Sequence, residues 1–243
     1  MNINDQLTRL FMRHLLETPE GRAHLLNQVA DAEDNGEASV FDQVQGYIQD
    51  PALQKAVEHH KNDEIRHAAM FRARRDAQGV KTGPVPEALQ MMGRLDVELD
   101  GFFSRPISDA KGVTTAYLVL QAIEERAVNQ FQFMIEAFDR VDPETARVFE
   151  AISKDEERHL RYCRAIVKRY AADDASAKTE LIAMRKLESE VFAATTAANL
   201  FYCLDNNLIQ GGARRFMWRA IGTIGSQVTM RPNTQFSGVF SAA

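Results

Sequence analysis

The sequence predicts an all-α protein, and three observations carry that prediction. Apolar residues recur at three- and four-residue steps over most of the chain. Strand-type alternation is scarce, and the Asn35-Gly36 dipeptide sits inside helical periodicity, not between β-rich runs. Two long helical stretches reverse at Asp-Pro turns, Asp50-Pro51 and Asp142-Pro143. Together these describe two antiparallel helix pairs separated by a middle segment of about 30 residues, the signature of a four-helix bundle with one long connection. Helices of about 30 residues are roughly 45 Å long, and a crossover of that size can return the chain along the bundle.

The elements follow in order. Thr18-Pro19-Glu20 is a helix start, with a capping hydroxyl and proline at the first helical position. From there Leu26, Val29, Ala30, Glu33, Val40 and Val44 keep helical spacing up to the Asp50 turn. Beyond Pro51, the residues Leu53, Val57, Glu64, His67 and Phe71 continue a second helical face. The Gly- and Pro-rich stretch 77–86 breaks the pattern, and a shorter helix reaches about Asp100. After Pro106 a third long helix runs to about Arg140; its YLVLQAI segment is apolar all round and requires contacts on several sides. Asp142-Pro143-Glu144 opens a fourth helix, to about Ala172, and AADDASAK reads as a turn. A fifth helix is expected over about 178–207, a short one around Trp218, and MRPNTQFSGVFSAA reads as an irregular terminus. The whole, 1–243, is expected to be a single domain: a duplicated helix-pair bundle over 19–172 with an extra helix and tail over 173–243.

Composition narrows the function classes. A net charge of -5 supplies no global basic field, so nucleic-acid binding is not expected. Cys163 and Cys203 form neither a CxxC pair nor a disulfide framework. No stretch approaches 18 uninterrupted apolar residues, and MNINDQLTRLFMRHLL lacks a signal-peptide core, so no membrane association and a cytoplasmic location are expected.

The pentapeptide DEIRH at Asp63 to His67 returns as DEERH at Asp155 to His159, 92 residues on. The same interval aligns Glu33 with Glu125, Phe41 with Phe133, and Asp50-Pro51 with Asp142-Pro143, without a gap. Each half reads E-x7-F-x8-D-P-x11-D-E-x-R-H, which marks a duplicated helix pair. Positions i and i+3 share a helix face, so Glu64 points with His67 and Glu156 with His159. Glu33 lies 17 residues before its turn and Glu64 lies 14 after it, at similar heights, and the same holds for Glu125 and Glu156. Four carboxylates and two imidazoles then converge at mid-bundle, where burial without compensation costs many kcal/mol. Metal cations are the natural compensation, and an oxygen and nitrogen donor set without thiolate suits iron or manganese.

This E…ExxH…E…ExxH pattern, over about residues 19–172, resembles the ferritin-like superfamily of carboxylate-bridged dimetal proteins. The resemblance implies a ferritin-like four-helix bundle with the long crossover between its second and third helices. It implies Glu33, Glu64, His67, Glu125, Glu156 and His159 as ligands of two metal ions, iron or alternatively manganese, with Glu64 and Glu156 bridging. Asp63 and Asp155 would each hydrogen-bond the histidine of the opposite half. At one ligand the register competes with the local pattern. Glu124 lies on a more apolar face, with Tyr117, Leu120, Val128, Phe131 and Ile135, whereas the repeat favours Glu125. His60, one turn before Glu64, has Ile152 as its repeat partner and reads as an ordinary partly buried histidine.

Within the family, a full-length rubrerythrin would bring a rubredoxin-type cysteine site, absent here. Ribonucleotide reductase small subunits carry a radical tyrosine where this chain has Phe71, and bacterioferritins a haem-binding methionine where it has Ile65. Storage ferritins are usually shorter and lack the extra C-terminal region. The resemblance thus implies a non-haem diiron oxidoreductase that uses dioxygen or peroxide to oxidise a small-molecule substrate not specified by the motif. An electron donor and a homodimer are further expectations. A dimanganese or diiron peroxide-detoxifying enzyme and an iron-storage protein are the alternatives.

Overall fold

The computed structural model describes residues 3–229, except for the side chains of 3–5, 35–39 and 225–229. The described residues are all-α, with nine α-helices and no strand. In chain order they are α1 (Ile3–Leu15), α2 (Pro19–Asp31), a π-helical turn (Ala32–Glu37), α3 (Ala38–Gln45), α4 (Pro51–Asp76), α5 (Met91–Glu98), α6 (Ala110–Phe138), α7 (Pro143–Tyr170), α8 (Asp174–Asp205) and α9 (Gly212–Thr229). The expectation for the irregular terminus lies outside the described residues.

Helix starts form where capping chemistry predicts them. The Thr18 hydroxyl accepts from the Gly21 amide at 3.0 Å, and Asp50 accepts from the Ala52 and Leu53 amides. Asp142 accepts from the Thr145 amide. Each of these caps is followed by proline, whose missing N–H costs nothing there. α8 starts earlier than expected, inside AADDASAK, because Asp173 accepts from the Ala175 and Ser176 amides at 2.9 Å and caps the helix. α1 is an element the periodicity reading did not identify. It buries Phe11, Met12 and Leu15 and meets α9, where the Trp218 indole N–H donates to His14 Nδ1 at 3.0 Å.

The long helices α4, α6, α7 and α8 pack as a bundle, with α2 and α3 against α4. α6 is buried continuously from Val113 to Glu124, as its all-round apolar stretch requires. The crossover between α4 and α6 is held down by Leu89, Leu95, Leu99, Phe103 and Ile107, all buried. The apolar core divides into two clusters, and the division sets the site. Along α4, Val57 belongs to one cluster and Phe71 to the other; along α7, Cys163 and Phe149 divide likewise. Along α6 the pair is Ile123 and Phe131, and along the first helix of the bundle it is Val40 and Ala30. Between these anchors, in each of these four helical segments, lies a buried acidic residue or histidine.

Candidate metal centre

α4 presents His60, Glu64 and His67 at i, i+4 and i+7, a single helix face, and all three are buried. α7 adds Glu156 and His159 at i and i+3, and α6 adds Glu124. Glu33 comes from the π-helical turn, with a relative exposure of only 6%. Seven ionisable side chains from four stretches of chain thus meet between two apolar clusters.

Their donor atoms form two adjoining groups. In one, the Nδ1 of His159 lies 3.0 Å from Glu64 Oε1, 3.1 Å from Glu156 Oε2 and 3.5 Å from Glu124 Oε1. The Nε2 of His60 lies 2.8 Å from the same Glu124 oxygen and 3.2 Å from the same Glu64 oxygen. In the other group, the Nδ1 of His67 lies 3.3 Å from Glu33 Oε2 and 3.6 Å from both Glu64 Oε2 and Glu156 Oε1. Among the histidines, Glu64 and Glu156 therefore approach both His67 and His159, whereas Glu33 approaches His67 and Glu124 approaches His159 and His60.

Behind the two histidines the halves interlock. Asp155 Oδ2 lies 3.2 Å from His67 Nε2, and Asp63 Oδ2 lies 3.2 Å from His159 Nε2. Each aspartate holds the ring of the opposite half and turns its Nδ1 toward the glutamates. Arg66 and Arg158 each bind both aspartates, at 2.6–2.7 Å. Burial works against the charge on Asp63, yet hydrogen bonds from His159, Arg66 and Arg158 hold its carboxyl far below the usual range.

The glutamates behave in the opposite way. Burial pushes Glu64 well above the ordinary carboxyl value, and the charge of Glu33 adds to it. Burial, with the charge of Glu124, pushes Glu156 up to about 8. Burial opposes the charge on His67 but is outweighed by hydrogen bonds to Glu33 and Glu64, which push it up to about 10. His60 is driven well below its ordinary value by burial and by the charge of His159. Protons can do in this core what a cation would do: they cancel carboxylate charge that cannot reach water.

The donor set fits metal ions. One donor atom from each of His60, Glu64, Glu124 and His159 lies within 4.8 Å of the others, and the same is true of Glu33, His67 and Glu156. Glu64 Oε1 is buried without a hydrogen-bond partner although two imidazole nitrogens flank it. A buried carboxylate oxygen is normally paired, and this one faces the space between the donors. All the donors are carboxylate oxygen or imidazole nitrogen, a combination that suits divalent first-row metal ions.

Six of the residues expected at the site, Glu33, Glu64, His67, Glu156, His159 and the aspartate pair's Asp63, are buried at this centre, with Asp155 half-buried at its edge. Glu125 is not part of it. Its carboxylate turns outward and is bound by Arg185 at 2.6 and 2.8 Å, while Glu124 points inward. The gapless repeat misled here for a structural reason. Buried Phe41, Val44 and Ile48 correspond in spacing to buried Phe131, Met134 and Phe138, an interval of 90 residues. The linker before Pro143 is therefore two residues longer than the one before Pro51. Upstream, the π-helical turn adds one residue to the first half, so the partner of Glu33 is 91 residues on, at Glu124. His60 is likewise a full member of the cluster instead of a partly buried bystander. Its sequence signal was its position one turn before Glu64.

Cys163 is a buried thiol in the apolar core. No helix among the described residues is long and apolar enough to cross a membrane. No protein-family model, curated protein or solved structure matches this chain.

Proposed function

We propose that this chain is a ferritin-like dimetal oxidoreductase whose centre holds iron or, alternatively, manganese. The observation that carries the reading is the crossed pair of histidines. His67 and His159 each turn Nδ1 to the glutamates and give Nε2 to the aspartate of the other half. A core histidine needs no such arrangement, whereas a metal ligand is oriented by it.

In this reading Glu33 and His67 would hold one ion and Glu124 and His159 the other, with Glu64 and Glu156, which reach both histidines, available to each. The bound ions would supply Lewis acidity and electron exchange with dioxygen or peroxide. The chain contributes the rest. The four carboxylates offset the charge of two divalent ions, the aspartate–arginine network fixes the imidazoles, and the flanking apolar clusters exclude water. A small organic substrate and an external electron donor complete the proposed reaction.

Metal analysis of protein purified without added metal tests this. Two equivalents of iron or manganese per chain are expected. His67→Ala and His159→Ala should each lose most of that metal while circular dichroism shows unchanged helicity. Metal-free protein from cells supplied with both metals, or full retention in both variants, would overturn the assignment.

A further inference from the structure

The duplication of the helix pair places a histidine and an isoleucine in corresponding positions, His60 on α4 and Ile152 on α7. Both are fully buried. The centre is therefore built from two related halves but carries a third imidazole on one side only.

We propose that His60 is a seventh ligand, binding through Nε2 to the ion held by Glu124 and His159, and that it makes the two metal positions unequal. This rests on the dimetal reading above and deepens it. The geometry points to ligation because His60 Nε2, His159 Nδ1, Glu64 Oε1 and Glu124 Oε1 all face one another. His60 Nε2 thus faces carboxylate oxygens of two different helices, Glu124 Oε1 at 2.8 Å and, at 3.2 Å, Glu64 Oε1, the oxygen left without a hydrogen bond.

His60 is oriented differently from the other two rings. His67 and His159 are fixed by aspartates, but His60 Nδ1 is buried with no hydrogen-bond partner. Packing fixes this ring instead: it stacks on His159 with centroids 3.8 Å apart and lies 4.5 Å from Phe41. Its site-facing nitrogen is Nε2, and theirs is Nδ1. With the proton on Nδ1, the lone pair of Nε2 is free for a metal.

The consequence is a division of labour between the positions. The Glu124 position has two imidazoles, and the Glu33 position has one, with its terminal carboxylate supplied by the π-helical turn. Imidazole-rich sites bind divalent first-row metals more strongly than oxygen-rich ones of the same charge, most of all toward the later metals. The Glu124 position therefore fills first, and the Glu33 position second.

Anaerobic titration of the metal-free protein with Co(II) reads this directly. The wild type should bind two equivalents in two resolved steps. His60→Ala should weaken the first step by about 100-fold or more, beyond the 10–100-fold typical of losing an outer hydrogen-bond partner, and leave the second nearly unchanged. His60→Gln keeps a donor toward Glu124 but not an imidazole, and should behave like His60→Ala. A wild-type titration restored by His60→Gln would show His60 to be a hydrogen-bond donor only and would overturn the proposal. So would two equal steps unaffected by either substitution. Should the variants fold poorly, wild-type protein loaded with one equivalent of Mn(II) gives a second reading by pulsed electron paramagnetic resonance. Nitrogen couplings from two imidazoles are expected, and couplings from one would refute it. Wild type that binds no metal at all would instead sink the dimetal reading itself.

Discussion

At the scale of single residues, the contrast between Glu124 and Glu125 shows how sharply the bundle sorts neighbours. Consecutive helical residues point about 100° apart, so one enters the polar centre and the other meets Arg185 at the surface. Substituting Glu125 with alanine should leave metal content unchanged and cost about 0–1 kcal/mol, the usual worth of a partly exposed ion pair. Substituting Glu124 with alanine should lower metal content by at least one equivalent. It also strips His60 and His159 of a buried partner, and unpaired buried polar groups cost about 1–3 kcal/mol each. Metal analysis and urea denaturation on the two variants separate these outcomes; a metal loss in Glu125→Ala would restore the register-based assignment. The sequence already held the deciding signal, since Glu124 shares its face with Tyr117, Leu120 and Phe131, all buried. What it did not hold was the weight to give that face against a repeat aligned over several motifs.

At the scale of elements, two length differences act together: the linker before Pro143 is two residues longer than the one before Pro51, and the π-helical turn at Ala32–Glu37 returns one of those residues. Such a turn accommodates one extra residue in an otherwise regular helix, and it leaves no periodic signature in a short polar run such as AEDNGE. Capped starts at Thr18, Asp50 and Asp142 were readable because each is a local event, one side chain accepting from amides two or three residues on. The extra residue is set by where α2 and α3 must each face the core, which is a tertiary demand. The same holds for α1, whose buried face packs on other elements, α6 and α9 among them. Deleting Asn35 should therefore convert the turn to regular α-helix and rotate Glu33 away from His67 by about 100°. Helicity should persist, because the apolar anchors of α2 and α3 remain, while one metal equivalent and not both is lost. Circular dichroism with metal analysis checks this; full metal content in the deletion variant would show that the turn does not position Glu33.

At the scale of the whole molecule, a polar centre clamped between two apolar clusters ties stability to charge. Two opposing sets of groups act on the metal-free protein. The carboxyls of Asp63 and Asp155 are held below their ordinary value, so their contribution is present above that value and is lost as the pH falls through the folded one. Glu64 and Glu156 are raised, so their contributions are fully present only below the ordinary carboxyl value and are lost as the pH rises through the folded values, about 8 for Glu156. His67, raised to about 10, loses its contribution between about 6.5 and 10, in the same direction. The metal-free protein should thus be most stable on the acid side of neutrality and lose on the order of a few kcal/mol toward pH 9. Metal ions reverse the alkaline limb, because they compete with the very protons that Glu64, Glu156 and His67 hold, and binding only the folded state adds stability by mass action. Melting temperatures with and without bound metal should therefore diverge as the pH rises from 5 to 8, with the metal-loaded protein gaining. Parallel curves over that interval would mean that the buried carboxyls give up no protons to a metal, and that the charge at the middle of the bundle is balanced in some other way.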